Sequence, residues 1–462
     1  MKQLKRLGIY GTLIALFASF FYFYGIVTVK YRVFPYEWLD KIKDRIIPPG
    51  DESYQALMEI NGLWYPAKIS GNQQNRVSPQ DREILSKLLT LPYLQGYNPA
   101  PDQDSVTIYN KSKAWDGLNI YLSGHRPSAF LIDMQGKVLH QWALDFKQVD
   151  WPKGDIKLSS VVYLDGQNKG KQYWRIVHPF DNGDILALYE RFGIIKIDRN
   201  SKLIWANLCR AHHDIFVKRD GTIYTLTYNR IDKHAELELS YPIFEDYITI
   251  MNPQGQIIKS VSILKCFLNS EYRPLLLRSL ASGYEPYDPF HTNSLEVLDG
   301  SLAGRFPMFK EGDILLSVSH LNAIAIADIE KETITWALTG LWDHSHDGRL
   351  LANGNIMLFD NHGNYGKSKV IEFNPLTKQL VWTYKGSNDD PIYSKVLGAN
   401  QRLPNGNTLI IESTYGRTIE VTSQNEIVWE FLNPNRFGDN NELIATITDM
   451  IRIPADRVSW IK

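Results

Sequence analysis

One short phrase recurs along this chain and limits what it can become. Asn182-Gly183-Asp-Ile-Leu, Asp220-Gly221-Thr-Ile-Tyr, Glu311-Gly312-Asp-Ile-Leu, Asn353-Gly354-Asn-Ile-Met and Asn405-Gly406-Asn-Thr-Leu each join two runs of strand-forming residues through a tight turn. Around them, a strand carrying Asp or Asn leads to a late tryptophan. Phe130–Asp133 leads to Trp142, Ile194–Asp198 to Trp205, Ile324–Asp328 to Trp336, Val370–Asn374 to Trp382 and Thr418–Thr422 to Trp429. A sixth unit, Ile248–Asn252 followed by Gly255, lacks the tryptophan. Trp336, Trp382 and Trp429 stand 46 and 47 residues apart, the length of a four-stranded blade and longer than most helical repeats. Six such units predict an all-β fold, a six-bladed β-propeller, whose radial closure protects sheet edges. The tryptophans then read as packing between blades.

The rest of the chain divides by composition. No charge interrupts Leu7–Val29, which is long enough to cross a bilayer as a helix. Lys2, Lys5 and Arg6 precede it and no small-x-small cleavage site closes it, so an uncleaved signal anchor is expected. The expected organisation is a cytoplasmic tail at 1–6, a transmembrane anchor at 7–29, a stalk at 30–50, a small helical or mixed cap at 51–115 and the propeller at 116–462. Within the cap, Ser53–Asn61 and Pro79–Leu91 read as helices. Lys and Arg flank the span on both sides, so charge alone does not set its orientation. A net charge of −1 gives no reason to expect nucleic acid as a partner. Cys209 and Cys266 form no zinc spacing; one disulfide or two buried thiols both fit.

Histidine decorates the repeat. His213 and His346 each stand eight residues before a turn glycine, Gly221 and Gly354. His291 opens the corresponding strand of the unit between them, which carries an insertion before Gly312. In a blade the first strand lines the central channel, so these three imidazoles are expected at one rim, converging on the axis. The second strands end there too, which brings Tyr228, Asn229, Ser319, His320, Asp360 and Asn361 close. His212 and His344 read as neighbours of the set. Three such imidazoles suit either a transition-metal site or nucleophilic and acid–base catalysis. No glycine-rich loop opens a helix, which leaves phosphate without its usual cradle.

Five motifs then match a known family in order. His212-His213-Asp-Ile with Asp220-Gly221, Asp288-Pro-Phe-His291-Thr-Asn293-Ser, Gly312-Asp-Ile-Leu-Leu-Ser, Ser345-His346 through Asn353-Gly-Asn-Ile to Phe359-Asp-Asn361, and Arg402-Leu-Pro-Asn-Gly-Asn with Gly416-Arg417 resemble the bacterial arylsulfate sulfotransferases across Leu118–Pro434. The resemblance implies a six-bladed propeller that moves sulfate from an aryl sulfate ester to a phenol by a ping-pong route. It requires neither nucleotide sulfate nor any other cofactor. His346 falls on the histidine that is transiently sulfated, with His291 and His213 on the other two active-site histidines. Asn293, Ser319, His320, Asn361 and Arg191 are expected to contact substrate. Because the family is exported, the propeller is placed outside the cytoplasm, held by its anchor at the inner membrane and facing the periplasm or exterior. The sequence does not fix the oligomeric state, and an oligomer is compatible with it.

One departure matters. The family places an arginine shortly after the Gly312–Ser317 strand, where this chain reads Ser317-Val-Ser319-His320. Arg191, Arg349 or Arg417, or a protonated His320, is expected to replace it. Two other readings remain: a metal-dependent hydrolase or lyase on the same three histidines, and a non-catalytic propeller that binds a partner at its rim.

Overall fold

A computed structural model describes residues 64–66 and 103–461, apart from 153–171, 283–286 and single positions near 233–241, 365–366 and 438–442. The expected tail, anchor and stalk, and both expected helices of the cap, lie outside the described residues. Among those described, no helix is long and apolar enough to cross a membrane.

Six antiparallel sheets of the expected length form a six-bladed propeller. Blade two runs from Trp174–Pro179 through Ile185–Tyr189 and Gly193–Ile197 to Leu203–Asn207, innermost strand first. Blades three, four, five and six begin on Ala211–Val217, Thr292–Val297, Ser345–Leu350 and Ala399–Arg402. The ring closes at blade one. Its inner strand, Ile447–Ile453, comes from the chain's far end and pairs with Leu118–Ser123. Ser105–Tyr109 adds a fifth strand outside blade six by pairing with Ile427–Leu432. The last blades are thus stitched by segments more than 300 residues apart.

The tryptophans bridge neighbouring blades. The indole N–H of Trp142 donates to the carbonyl of Gly183, that of Trp205 to Pro253 and that of Trp429 to Met134 (2.9, 3.2 and 3.0 Å). In each case the fourth strand of one blade bonds a turn of the next. A tryptophan fits because it buries a large apolar face while its single donor reaches a carbonyl. Trp382 lies under the guanidinium of Arg402 on blade six instead. Apolar side chains fill the wedges between sheets. One cluster joins blades three and four, with Leu226, Ile248, Leu295 and Leu316 fully buried. Helices at Ile263–Leu268 and Arg273–Ser282 cover its outer side. Cys209 and Cys266 are free and buried, so they are not bonded to each other.

One irregularity recurs on the channel side. The inner strand slips register against its neighbour at Ile447/Asp449, Trp174/Val177, His212/Ile215, Thr292/Ser294 and His346/Arg349. Such bulges break the strict alternation of side chains and aim extra residues to one face. Here that face is the channel. The inner strand of blade six pairs without a slip.

Candidate active site

The five slips gather polar side chains at one level of the axis. The rings of His213 and His291 are 4.9 Å apart between centroids, edge to face, and those of His213 and His346 are 6.5 Å apart. The His213 ring therefore has both other expected histidines as ring neighbours. His213 and His291 hold left-handed backbone conformations, φ +61° and +45°, as does Asp347 at +51°. Such strain in non-glycine residues collects at functional sites.

His346 has a defined tautomer. Its Nδ1 lies 2.7 Å from Oδ1 of Asn361, whose Nδ2 donates to the carbonyls of Ser394 and Leu397 at 2.8 Å each. Those two bonds fix which end of the amide faces the ring, so Nδ1 carries the proton and donates. Nε2 is left with its lone pair. Burial, followed by the charge of Arg175, holds His346 well below the ordinary histidine range, so the ring is neutral. Asn361 is fully buried and uses its whole amide this way, which makes it a positioning partner of His346 rather than the substrate contact expected of it.

His291 is set oppositely. Burial alone would lower its pKa, but the Asp288 carboxylate, 2.7 Å from Nδ1, overrides burial and raises it. Asp288 is in turn held well below the usual carboxylate range: burial opposes this, but the His291 charge and hydrogen bond prevail. Of the three, His291 is thus the one whose charged form its surroundings favour. Burial lowers His213 far below its usual value, helped by the charges of His291 and His212, and its Nδ1 shares a 2.8 Å hydrogen bond with Nδ1 of His212. The arrangement sets two imidazoles held neutral beside one whose protonation is favoured.

His320 stacks on His291 at 4.6 Å, with Nδ1 on the carbonyl of Asp288. Burial pushes it down to about 4. It therefore stays uncharged near neutrality and does not replace the missing arginine. His344 and His362 extend the row of rings, His320 to His344 at 6.0 Å and His344 to His362 at 4.8 Å. Ser319 is buried in a short turn, its N–H on the carbonyl of His291, so it supports the backbone there. Asn293 donates to the carbonyl of Ser345 at 2.7 Å and lines the channel, with its Oδ1 buried and unpartnered.

The expected arginines are committed elsewhere. Arg191 faces Glu190 and Asp288 at 3.9 and 3.8 Å, beside His291. Arg349 reaches the channel but is held by Asp347 and Asp214 at 2.6 and 3.0 Å. Arg417 lies on the third strand of blade six, bound by Glu430, Asp390 and Glu412. One further cation lines the channel and was not expected from the sequence. Arg175 lies in the bulge of blade two, buried, and lines with His213 and Asn293 a channel cavity of about 370 Å³. Its signal was present, because Arg175 stands eight residues before Gly183, as His213 and His346 stand before their glycines. His291 and His346 do not line that cavity; His213 borders both it and the small pocket that holds His291 and Asp288.

Among the described residues, the histidine and carboxylate groups close enough to share a metal ion are Asp288, His291 and His320, and Asp343, His344 and His362. His213, His291 and His346 do not form such a group. The alternative reading, a metal site on that trio, has no geometric support among the described residues.

Residues 180–434 match the family described as arylsulfotransferase (ASST), more than half of the chain. The chain belongs to the arylsulfotransferase family. Membership suggests a sulfotransferase acting on small aryl substrates. The match begins beyond Arg175. No curated protein matches the chain. Among solved structures it is similar to a Bacteroides caccae protein of unknown function, at 12% identity, 73% of this chain, 99% of the other and a TM-score of 0.46. It is also similar to virginiamycin B lyase from Staphylococcus aureus, at 12% identity, 60% of this chain, 83% of the other and a TM-score of 0.34. Scores this low say nothing about activity.

Proposed function

We propose that the protein moves a sulfuryl group from an aryl sulfate to a phenolic acceptor through a sulfated His346. The observation that carries this reading is the fixed tautomer of His346, whose Nδ1 donates to Asn361 and leaves Nε2 its lone pair, while the Asp288 carboxylate favours the charged form of His291. In the first half-reaction Nε2 attacks sulfur, the N–S bond forms and the S–O(aryl) bond breaks. The departing phenolate takes a proton, which His291 is charged to give. In the second, the acceptor phenol surrenders its proton to the now neutral His291 as its oxygen attacks sulfur. The N–S bond then breaks and His346 returns to its starting form. No oxidant, nucleotide or metal enters this balance.

The test is intact-mass analysis after incubation with 4-nitrophenyl sulfate and no acceptor. The expected result is one sulfuryl group per chain, mapped to His346, discharged by added phenol and absent from His346→Ala. A panel of aryl sulfates that leaves no adduct on a folded chain would sink the reading. The apolar run Leu7–Val29 would tether this domain to the inner membrane on its outer face. Membrane fractionation with externally added protease checks that: a propeller shielded from protease in intact spheroplasts refutes it.

A further inference from the structure

Three arginines line the channel cavity: Arg175, Arg349 and Arg402. Two are neutralised. Arg349 is paired with Asp347 and Asp214, and Arg402 with Glu372 at 2.7 Å. Arg175 differs. Its Nη1 donates to the main-chain carbonyl of Thr448 at 2.8 Å, and its Nε is buried with no partner. A carbonyl satisfies a donor without cancelling a charge. The result is a buried cation, 5% exposed, with an unused N–H beside a cavity.

Such a group is costly unless an anion completes it. Its neighbours are suited to receiving one. Arg175 lines the cavity together with His213 and is the largest charge influence on His346. Both rings are neutral and oppose no anion. Asp449, on the adjoining inner strand of blade one, is raised by burial to about 7, so even the nearby carboxylate gives up part of its charge near neutrality.

We infer that Arg175 is the anion-binding residue of this site, its guanidinium grasping the sulfuryl oxygens of the donor and of the group once carried by His346. This deepens the reading above and rests on it for the identity of the anion, a monoanionic sulfate ester. The placement is specific to this chain's geometry. The residue occupies the register of His213 and His346 but on blade two, next to the blade that carries His213. A planar fork suits a tetrahedral oxyanion because two parallel N–H groups can meet two oxygens. It also withdraws charge from sulfur as the S–O bond breaks, without moving a proton.

The experiment uses the full chain in two arms. In the first, phenyl sulfate binding is measured by calorimetry on His346→Ala protein, which cannot turn over, with and without Arg175→Gln or Arg175→Lys. Arg175→Gln is expected to lose binding at least tenfold. Arg175→Lys, which keeps charge without a fork, is expected to lie between. In the second, the sulfation rate of His346 is followed by mass in otherwise wild-type protein. Arg175→Gln is expected to slow it about a hundredfold or more, the usual effect of removing one electrostatic donor. Thermal unfolding reports on the Thr448 contact. If Arg175→Gln fails to fold, the lysine variant decides, and a lysine variant that binds and reacts like wild type overturns the inference. Sulfation of His346 at an unchanged rate in Arg175→Gln overturns it while leaving the sulfohistidine reading intact. Binding of phenyl sulfate that depends on Arg175, in a chain that never becomes sulfated, supports the anion site and refutes the transfer reaction.

Discussion

Asn361 holds His346 by a single 2.7 Å hydrogen bond, with its own amide clamped by two main-chain carbonyls from the loop before blade six. The pair converts a symmetric heterocycle into a directed nucleophile. Asn361→Leu removes the acceptor, so the ring is free to rotate or to place its proton on Nε2. The sulfation rate should fall roughly 10- to 100-fold, the range seen when a partner orienting a functional imidazole is lost. Asn361→Asp should do something different. A carboxylate at Nδ1 stabilises the imidazolium, so the acid limb of the sulfation rate should move to higher pH with little loss above it. Coincident pH profiles for Asn361→Asp and wild type would contradict this.

Asp288 sets the other end of the proton balance. The groups facing His291 are Asp288, Arg191, Asp246, His213 and His320. Of these, Asp288 raises its pKa most, against the effect of burial. If His291 must be protonated to release the phenol, the first half-reaction declines as pH rises through its raised pKa, above the ordinary 6.5. Asp288→Asn leaves burial opposed mainly by Asp246, so that limb should shift to lower pH. Stability follows the same signs. The raised His291 contributes fully below its unfolded value and fades as pH climbs through its folded one. The depressed Asp288 contributes fully above its unfolded value and fades as pH falls through its folded one. Rates and melting curves across pH 5 to 9 check the His291 statement, and melting curves taken below pH 4 check the Asp288 one.

The repeat was legible because turns and strand ends are local. Asn353-Gly354 and its counterparts need a left-handed glycine wherever two strands turn back, and Trp429 needs only a carbonyl one blade away. Convergence of His213, His291 and His346 followed from their register. What escaped was long-range or of a different chemical type. The pairing of Ile447–Ile453 with Leu118–Ser123, and of Ser105–Tyr109 with blade six, is set by closure of the ring, which no local pattern records. Arg175 obeys the same eight-residue spacing as the histidines, yet the spacing was followed only where the residue was histidine. The expected candidates, Arg191, Arg349 and Arg417, carry no such register, and each is paired with carboxylates.

Two turn glycines separate strain from collision. Gly354 and Gly406 sit in equivalent turns at φ +88° and +89°. A Cβ on Gly354 would lie 2.0 Å from the Phe306 ring, whereas one on Gly406 meets nothing within 4 Å. Gly406→Ala should cost only the left-handed penalty, about 1–2 kcal/mol. Gly354→Ala adds an overpacking cost of roughly 1–3 kcal/mol. Chemical denaturation should rank Gly354→Ala clearly below Gly406→Ala. Equal losses would mean that the buried phenyl ring of Phe306 moves aside freely.

Arg452 and Glu420 lock the closing blades. Both are fully buried; Arg452, on the inner strand of blade one, donates to Glu420 on the third strand of blade six and to Asn119 at 2.7 Å. Its guanidinium lies over the ring of Trp429, 4.6 Å from the centroid. Glu420 also accepts from the N–H of Trp115 and from Asn407. Arg452→Met strands that carboxylate in the interior, at a cost of about 3–5 kcal/mol. Arg452→Met with Glu420→Leu removes both charges and should recover part of the loss, although Asn119, Asn407 and the Trp115 backbone keep unmet groups. Thermal unfolding of the two variants decides the matter. A double variant less stable than Arg452→Met would show that the carboxylate's bonds to Trp115 and Asn407, rather than its pairing with the guanidinium, hold the ring shut.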